Sequence, residues 1–261
     1  MNIREIIIAE AIFHDGDYDK IYRDLSTHKY FSLEEAHEIC KSLKCNALTI
    51  LDKEYPEYLR HMFKPPFVLF YYGNISLIND PSSALGVVGT RDPSPQKEQL
   101  TYDLVSKLCK DYIIVSGLAK GVDRTAHKAV LDNGGRTIAI LGSGIDVCYP
   151  TENLDIYEQI KSGRHLLLSE YPNNSEPASR HFPFRNRLIA MFSKGILVTE
   201  SALRSGTSIT VNYGLLFGRD IMCVPSNDLN NSGCNFYIKQ GAALVENADD
   251  VITIMSNLKL V

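Results

Sequence analysis

From residue 84 onward the chain keeps one rhythm, a short run of consecutive apolar residues followed by a stretch with helical periodicity. The apolar runs fall at 84–88, 113–115, 137–141, 165–168, 195–198 and 221–224. The helical stretches fall at 95–109, 122–133, 153–161, 187–192, 208–217 and 248–258. A strand that is apolar on successive residues turns hydrophobic side chains to both sides of its sheet, so both faces need cover. Helices between the strands supply that cover, and they supply the crossovers that parallel pairing requires. The rhythm predicts an α/β chain with a mostly parallel sheet and helices on both faces.

Residues 1–60 read differently. Helical patterns occupy 3–13, 18–25 and 32–43, and Ser32 with Glu35 forms a capping box. No strand pattern is evident there. These residues hold 8 Lys and Arg against 12 Asp and Glu, so they carry the whole net charge of −4. A small acidic helical module over 1–61 and a larger domain over 62–261 are expected. Between them, Pro65-Pro66 and Gly73 bound an apolar run at 67–72, which reads as a strand beside the larger sheet.

A hydrophobic share of 44% and a charged share of 22% exclude a disordered chain. No apolar run reaches the roughly 18 residues of a membrane span. The first thirteen residues carry Arg4, Glu5 and Glu10 with no cleavage site after them, so no secretory signal is expected. The six cysteines are scattered without a C-x-x-C pair, and no H-E-x-x-H occurs. Reduced core cysteines, a cytoplasmic location, and no metal or cofactor follow as expectations. Because residues 61–261 balance in charge, composition neither supports nor excludes a local basic pocket.

In an open parallel sheet, ligands bind beyond the carboxyl ends of the strands. The residues there are Gly89-Thr90-Arg91, Ser116-Gly117 through Gly121, Gly142-Ser143-Gly144, Ser169-Glu170, Thr199-Glu200 and the loop 201–207. Glycine admits close backbone approach, and amides at helix starts bind anions. Any one such loop is explained by a tight turn; five of them with Arg91 suggest a phosphate-binding edge. Gly142-Ser143-Gly144 lacks the third glycine of a dinucleotide fingerprint, and neither a P-loop nor a G-x-S-x-G elbow is present. Glu170 and Glu200 suit holding arginines in place. The segment Arg180-His181-Phe182-Pro183-Phe184-Arg185-Asn186-Arg187 interleaves cations with aromatics. Arginine forks phosphate, and rings stack on unpaired bases. Arg185 and Arg187 could instead pair with Glu170 or Glu200, and both roles can coexist in neighbours.

In these segments the chain resembles the DNA-processing protein A family (DprA, also called Smf). The matching stretches are Val87-Val88-Gly89-Thr90-Arg91, the run 115–123, Ala126-His127, the run 141–146 with Tyr149-Pro150, the run 168–171, the run 182–189, Arg204-Ser205-Gly206-Thr207 and Gly241-Ala242. The resemblance covers about residues 62–257. It implies an extended Rossmann-like domain, with the N-terminal part as a SAM-like helical module. It also implies a homodimer that binds single-stranded DNA without sequence preference. Such a protein protects incoming strands in natural transformation and loads RecA recombinase, with no catalytic activity.

Carried over to this chain, the binding residues are Arg91, Lys120, Gly121, Phe184, Arg185, Asn186, Arg187, Ser205, Gly206 and Thr207, supported by Thr90, Glu170, Glu200 and His181. Arg91, Arg185 and Arg187 are expected on phosphates, and Phe184 or His181 on a base. Tyr237, Ile238 and Leu244 are offered as a dimer face, with core burial as the competing role. Val224-Pro225-Ser226 and Glu200-Ser201 depart from the family's V-P-G and E-A, and no C-terminal winged helix is expected. A nucleoside-monophosphate hydrolase on a similar sheet is the alternative, but its P-G-G-x-G-T-x-x-E is missing. A pure recombinase-contact module would leave the strand-end arginines without a purpose.

Overall fold

A computed structural model describes residues 3–257. The chain opens with α1 (Ile3–Phe13), α2 (Tyr18–Ser26) and α3 (Leu33–Cys40). Asp17 caps α2 by accepting the Lys20 amide, and Ser32 with Glu35 closes the capping box on α3. Ile6 and Ala9 of α1 pack on Ala36 of α3 in a small core of their own. The absence of a strand in this stretch is corrected by β1 (Asn46–Thr49). The short α4 (Glu57–Arg60) follows, then β2 (Val68–Gly73), which pairs antiparallel with β1. Four residues starting with an exposed Asn carry no readable alternation, so pairing with β2 decides their state.

The regular part runs β3 (Ala84–Val88), α5 (Pro95–Leu108), β4 (Ile113–Ser116), α6 (Val122–Asp132), β5 (Thr137–Ile140), α7 (Leu154–Lys161) and β6 (Leu166–Ser169). It continues through α8 (His181–Met191), β7 (Gly195–Val198), α9 (Thr207–Leu216), β8 (Asp220–Cys223), α10 (Gly233–Lys239), β9 (Ala243–Leu244) and α11 (Ala248–Asn257). Residue 258, expected to end the last helix, lies outside the described residues. The sheet order is β1-β2-β6-β5-β4-β3-β7-β8-β9. Strands β3 to β9 pair in parallel, and β2 joins them antiparallel to β6. The result is the mixed α/β, mostly parallel sheet that the rhythm predicts.

Both faces are covered. Leu188 of α8, Val211 of α9 and Tyr237 of α10 join the core on one side, and Leu104 of α5, Val130 of α6 and Val251 of α11 join it on the other. Ile7 of α1 and Ile156 of α7 cover the sheet toward β2. One element starts much earlier than expected. Helix α8 begins at His181, not near 187, and absorbs the arginine-aromatic segment. Pro183 is its third residue, where the missing N–H would have had no helical partner anyway.

Candidate functional site

The strand order reverses between β3 and β7, because the chain builds outward from β3 to β6 on one side and from β7 to β9 on the other. Loops leaving neighbouring strands diverge at such a point and open a crevice at their carboxyl ends. A cleft of about 630 Å³ lies there. Its walls are Thr90 and Arg91 beyond β3, Asp123 of α6, the α8 residues Phe182, Arg185 and Asn186, and the 205–207 segment that opens α9.

The turn holding Arg91 is braced on several sides. The Thr90 amide donates to the Glu200 carbonyl at 2.8 Å, and the Thr90 carbonyl accepts the Val122 amide at 3.1 Å. Gly121 has φ +71°, and a Cβ there would stand 2.5 Å from the Thr90 carbonyl oxygen, so only glycine fits. The Glu200 carboxylate accepts from the Ser94 amide at 2.9 Å and its hydroxyl at 3.3 Å, next to the positive end of α5. The expectation that Glu200 holds an arginine is therefore corrected: it braces the Arg91 turn. Arg91 itself is exposed, with its guanidinium 5.7 Å from the centre of the Phe182 ring. Among the described residues no carboxylate pairs with it.

Across the cleft, the amides of Ser205, Gly206 and Thr207 find no acceptor among the described residues. A Cβ on Gly206 would meet nothing within 4 Å, so the backbone there is open to approach. A helix start with free amides attracts an anion.

Helix α8 divides the expected binding residues between two faces. Positions 182, 185, 186 and 189 line the cleft, as spacing by three and four residues requires. Arg185 is buried in the cleft wall. Its Nη1 donates to the Gly117 carbonyl at 2.6 Å and to the Ile140 carbonyl, and its Nε donates to Asn186 Oδ1 at 3.1 Å. A Cβ on Gly117 would lie 2.6 Å from Arg185 Nη2, so a glycine is needed under the guanidinium. Burial pulls Arg185 down to about 10, opposed by Asp123 nearby. Burial pushes the Asp123 carboxyl up, and Arg185 with the Gly117 and Ala119 amides holds it back. Arg185 thus lends positive charge to the wall, and the expected free phosphate fork is corrected.

Arg187 is wholly buried on the other face. It forks Glu170 at 2.5 and 2.6 Å and also donates to the Lys64 and Phe184 carbonyls. No face is left for a phosphate, so that expectation is corrected as well. Phe184 lies 3.7 Å beneath the Arg187 guanidinium and borders a separate pocket of about 200 Å³ with His181. His181 stacks on Tyr171 at 3.9 Å. Neither ring reaches the cleft. Phe182 and Tyr149 take their place, with ring centres 5.4 Å apart and Tyr149 45% exposed. Sequence reasoning missed both as site residues; helical spacing through 182, 185, 186 and 189 carries the signal for Phe182. Lys120 is exposed and pairs with Glu152 rather than lining the cleft. Of the proposed dimer residues, Tyr237 is buried in the core, Ile238 is half-buried against it, and Leu244 is 47% exposed on the edge strand β9.

This is a Rossmann-like domain whose strand-end cleft brings together the Arg91 guanidinium, the open 205–207 backbone and two aromatic rings, Phe182 and Tyr149. The sequence model of the family described as DNA recombination-mediator protein A matches residues 46–256. The DNA processing protein DprA of Streptococcus pneumoniae is 40% identical over 226 residues, covering 86% of this chain and 79% of the relative. Its Bacillus subtilis counterpart is 37% identical, covering 79% and 70%. The X-ray structure of DNA processing protein A from S. pneumoniae superposes with a TM-score of 0.81 at 35% identity, covering 98% of this chain and 93% of that one. DNA processing protein A from Helicobacter pylori, solved for its single-stranded DNA binding mode, gives 0.73 at 27% identity, covering 83% and 98%. The chain belongs to the DNA recombination-mediator protein A family.

Proposed function

We propose that this chain binds single-stranded DNA in the strand-end cleft without sequence preference. One observation carries the reading: an exposed Arg91, unpaired among the described residues, stands over Phe182, opposite the 205–207 amides that find no acceptor among them. Arg91 and those amides take phosphates, and a base stacks on Phe182 and Tyr149. Phosphate contacts and stacking carry no base identity, which accounts for the lack of preference. Exposed Arg204, next to Ser205 of the cleft wall and unpaired among the described residues, extends the positive rim. The binding mode named for the H. pylori relative supports the same reading.

Membership of the family supports a finer role. The protein shields incoming strands and loads RecA recombinase in natural transformation. It acts without turnover, in the cytoplasm, as a homodimer that uses Leu244 of the edge strand β9 and Ile238 of α10. Residues 1–61 and 62–261 serve as its two domains.

The test is a titration of labelled single-stranded and duplex oligonucleotides of equal length at two salt concentrations. Salt-dependent binding to the single strand, weakened and made less salt-dependent by Arg91→Ala, is the expected result. Equal affinity for duplex, or release of free base from nucleoside monophosphates, overturns it.

A further inference from the structure

Outside the cleft, two carboxylates converge on one imidazole nitrogen. The His14 amide donates to the Glu10 carbonyl at 3.0 Å, which places Glu10 and His14 one helical turn apart at the end of α1. Asp24 reaches them from α2. His14 Nε2 stands 2.7 Å from Asp24 Oδ2 and 3.4 Å from Glu10 Oε2. The His14 and Glu10 side chains are 9% and 2% exposed. An imidazole nitrogen holds one proton and can serve one carboxylate at a time. The remaining oxygens are already engaged, since Glu10 Oε1 accepts the Phe31 amide and Asp24 Oδ1 accepts from Arg23 Nε. Each acid therefore turns its second oxygen to the same nitrogen. A buried carboxylate left sharing a proton is costly.

We propose that Glu10, His14 and Asp24 bind a zinc ion that ties α1 to α2. The three ligand atoms lie within 4.8 Å of one another. One imidazole with two carboxylates suits zinc, whereas magnesium and calcium prefer all-oxygen shells. Zinc–ligand bonds of about 2.1 Å separate tetrahedral ligand atoms by about 3.4 Å. The Glu10 contact already has that span, and the Asp24 contact opens by about 0.7 Å. Zinc takes the place of the Nε2 proton, and water completes the fourth position. A glutamate and a histidine four residues apart with a lone aspartate ten residues on match no familiar zinc spacing, which is why the sequence does not announce the site.

The test uses the metal-stripped full chain, titrated with cobalt ion by visible absorption and with zinc ion by calorimetry and thermal melting. One ion per chain, cobalt displaced by zinc and a raised melting temperature are expected. His14→Ala and Asp24→Asn should each weaken zinc at least about tenfold, the scale on which even outer-shell partners act. Asp24→Asn keeps the shape of a partly exposed side chain, so a folding failure of His14→Ala does not blunt the test. No uptake from excess zinc, uptake unchanged in both variants, or the near-ultraviolet bands of cobalt–thiolate binding would each overturn the site.

Discussion

Arg91 and Arg187 carry the same charge to opposite ends. Arg91 is exposed and unpaired among the described residues, so its charge is free for a ligand. Arg91→Ala should weaken single-strand binding and flatten the log–log salt slope by about 0.7, one phosphate's worth, without moving the melting temperature. Arg187 is buried with both Glu170 oxygens in its fork. Arg187→Ala leaves Glu170 buried and unpaired, which should cost about 3–5 kcal/mol in denaturant unfolding. The double variant Glu170→Gln with Arg187→Met should recover part of that loss, because no lone charge remains inside. The rings separate in the same way. Phe182→Ala should lose about 1–3 kcal/mol of strand affinity, the worth of one stacked base, whereas Phe184→Ala should leave affinity nearly intact. An affinity loss at Phe184 matching that at Phe182 would place the strand on the other face of α8.

At the scale of elements, the site depends on how α8 and the Arg91 turn are held. The local pattern from 180 to 187 is rich in cations and aromatics, and the helical periodicity legible in the sequence starts only at 187. Packing of Leu188, Ile189 and Met191 into the core makes it helical, and the helix then turns one face to the cleft and another to Glu170. Glu200 closes the start of α5 and fixes the turn before it. Glu200→Ala should cost about 1 kcal/mol of stability, as loss of a helix cap does. Its effect on strand binding should be larger than its effect on melting, since Arg91 loses its position. Measuring both in one variant checks this; binding that falls only in step with stability would make Glu200 a structural cap alone.

Two predictions belong to the whole molecule. His127 is fully buried, with Nδ1 2.8 Å from the Thr137 hydroxyl and Nε2 without a partner among the described residues. Burial pulls it from its ordinary 6.5 down to about 3, and burial lowers His165 and His181 too. The unfolded chain takes up protons near 6.5 and the folded chain resists. Stability is thus full above that value and is lost as pH falls toward 3. Unfolding free energy measured across this window should fall with acid, and His127→Gln should flatten the fall. The second concerns assembly. Leu244 is exposed on β9, which pairs only with β8 among the described strands, and it belongs to the proposed dimer face; on that proposal Leu244→Arg should leave a folded monomer in sedimentation. Tyr237→Arg places a charge in the core and should unfold the chain.

The sequence by itself determined the layered α/β order, because consecutive apolar residues cannot be satisfied except between two covering layers. It also determined which loops meet at the strand ends, and the family likeness that those loops carry. The tertiary structure alone decided that β1 is a strand, since four weakly patterned residues take their state from a neighbour. It alone decided which of three arginines keeps a free charge. A guanidinium looks the same in sequence whether it meets water, carbonyls or a carboxylate, and its role depends on which of these the fold puts against it.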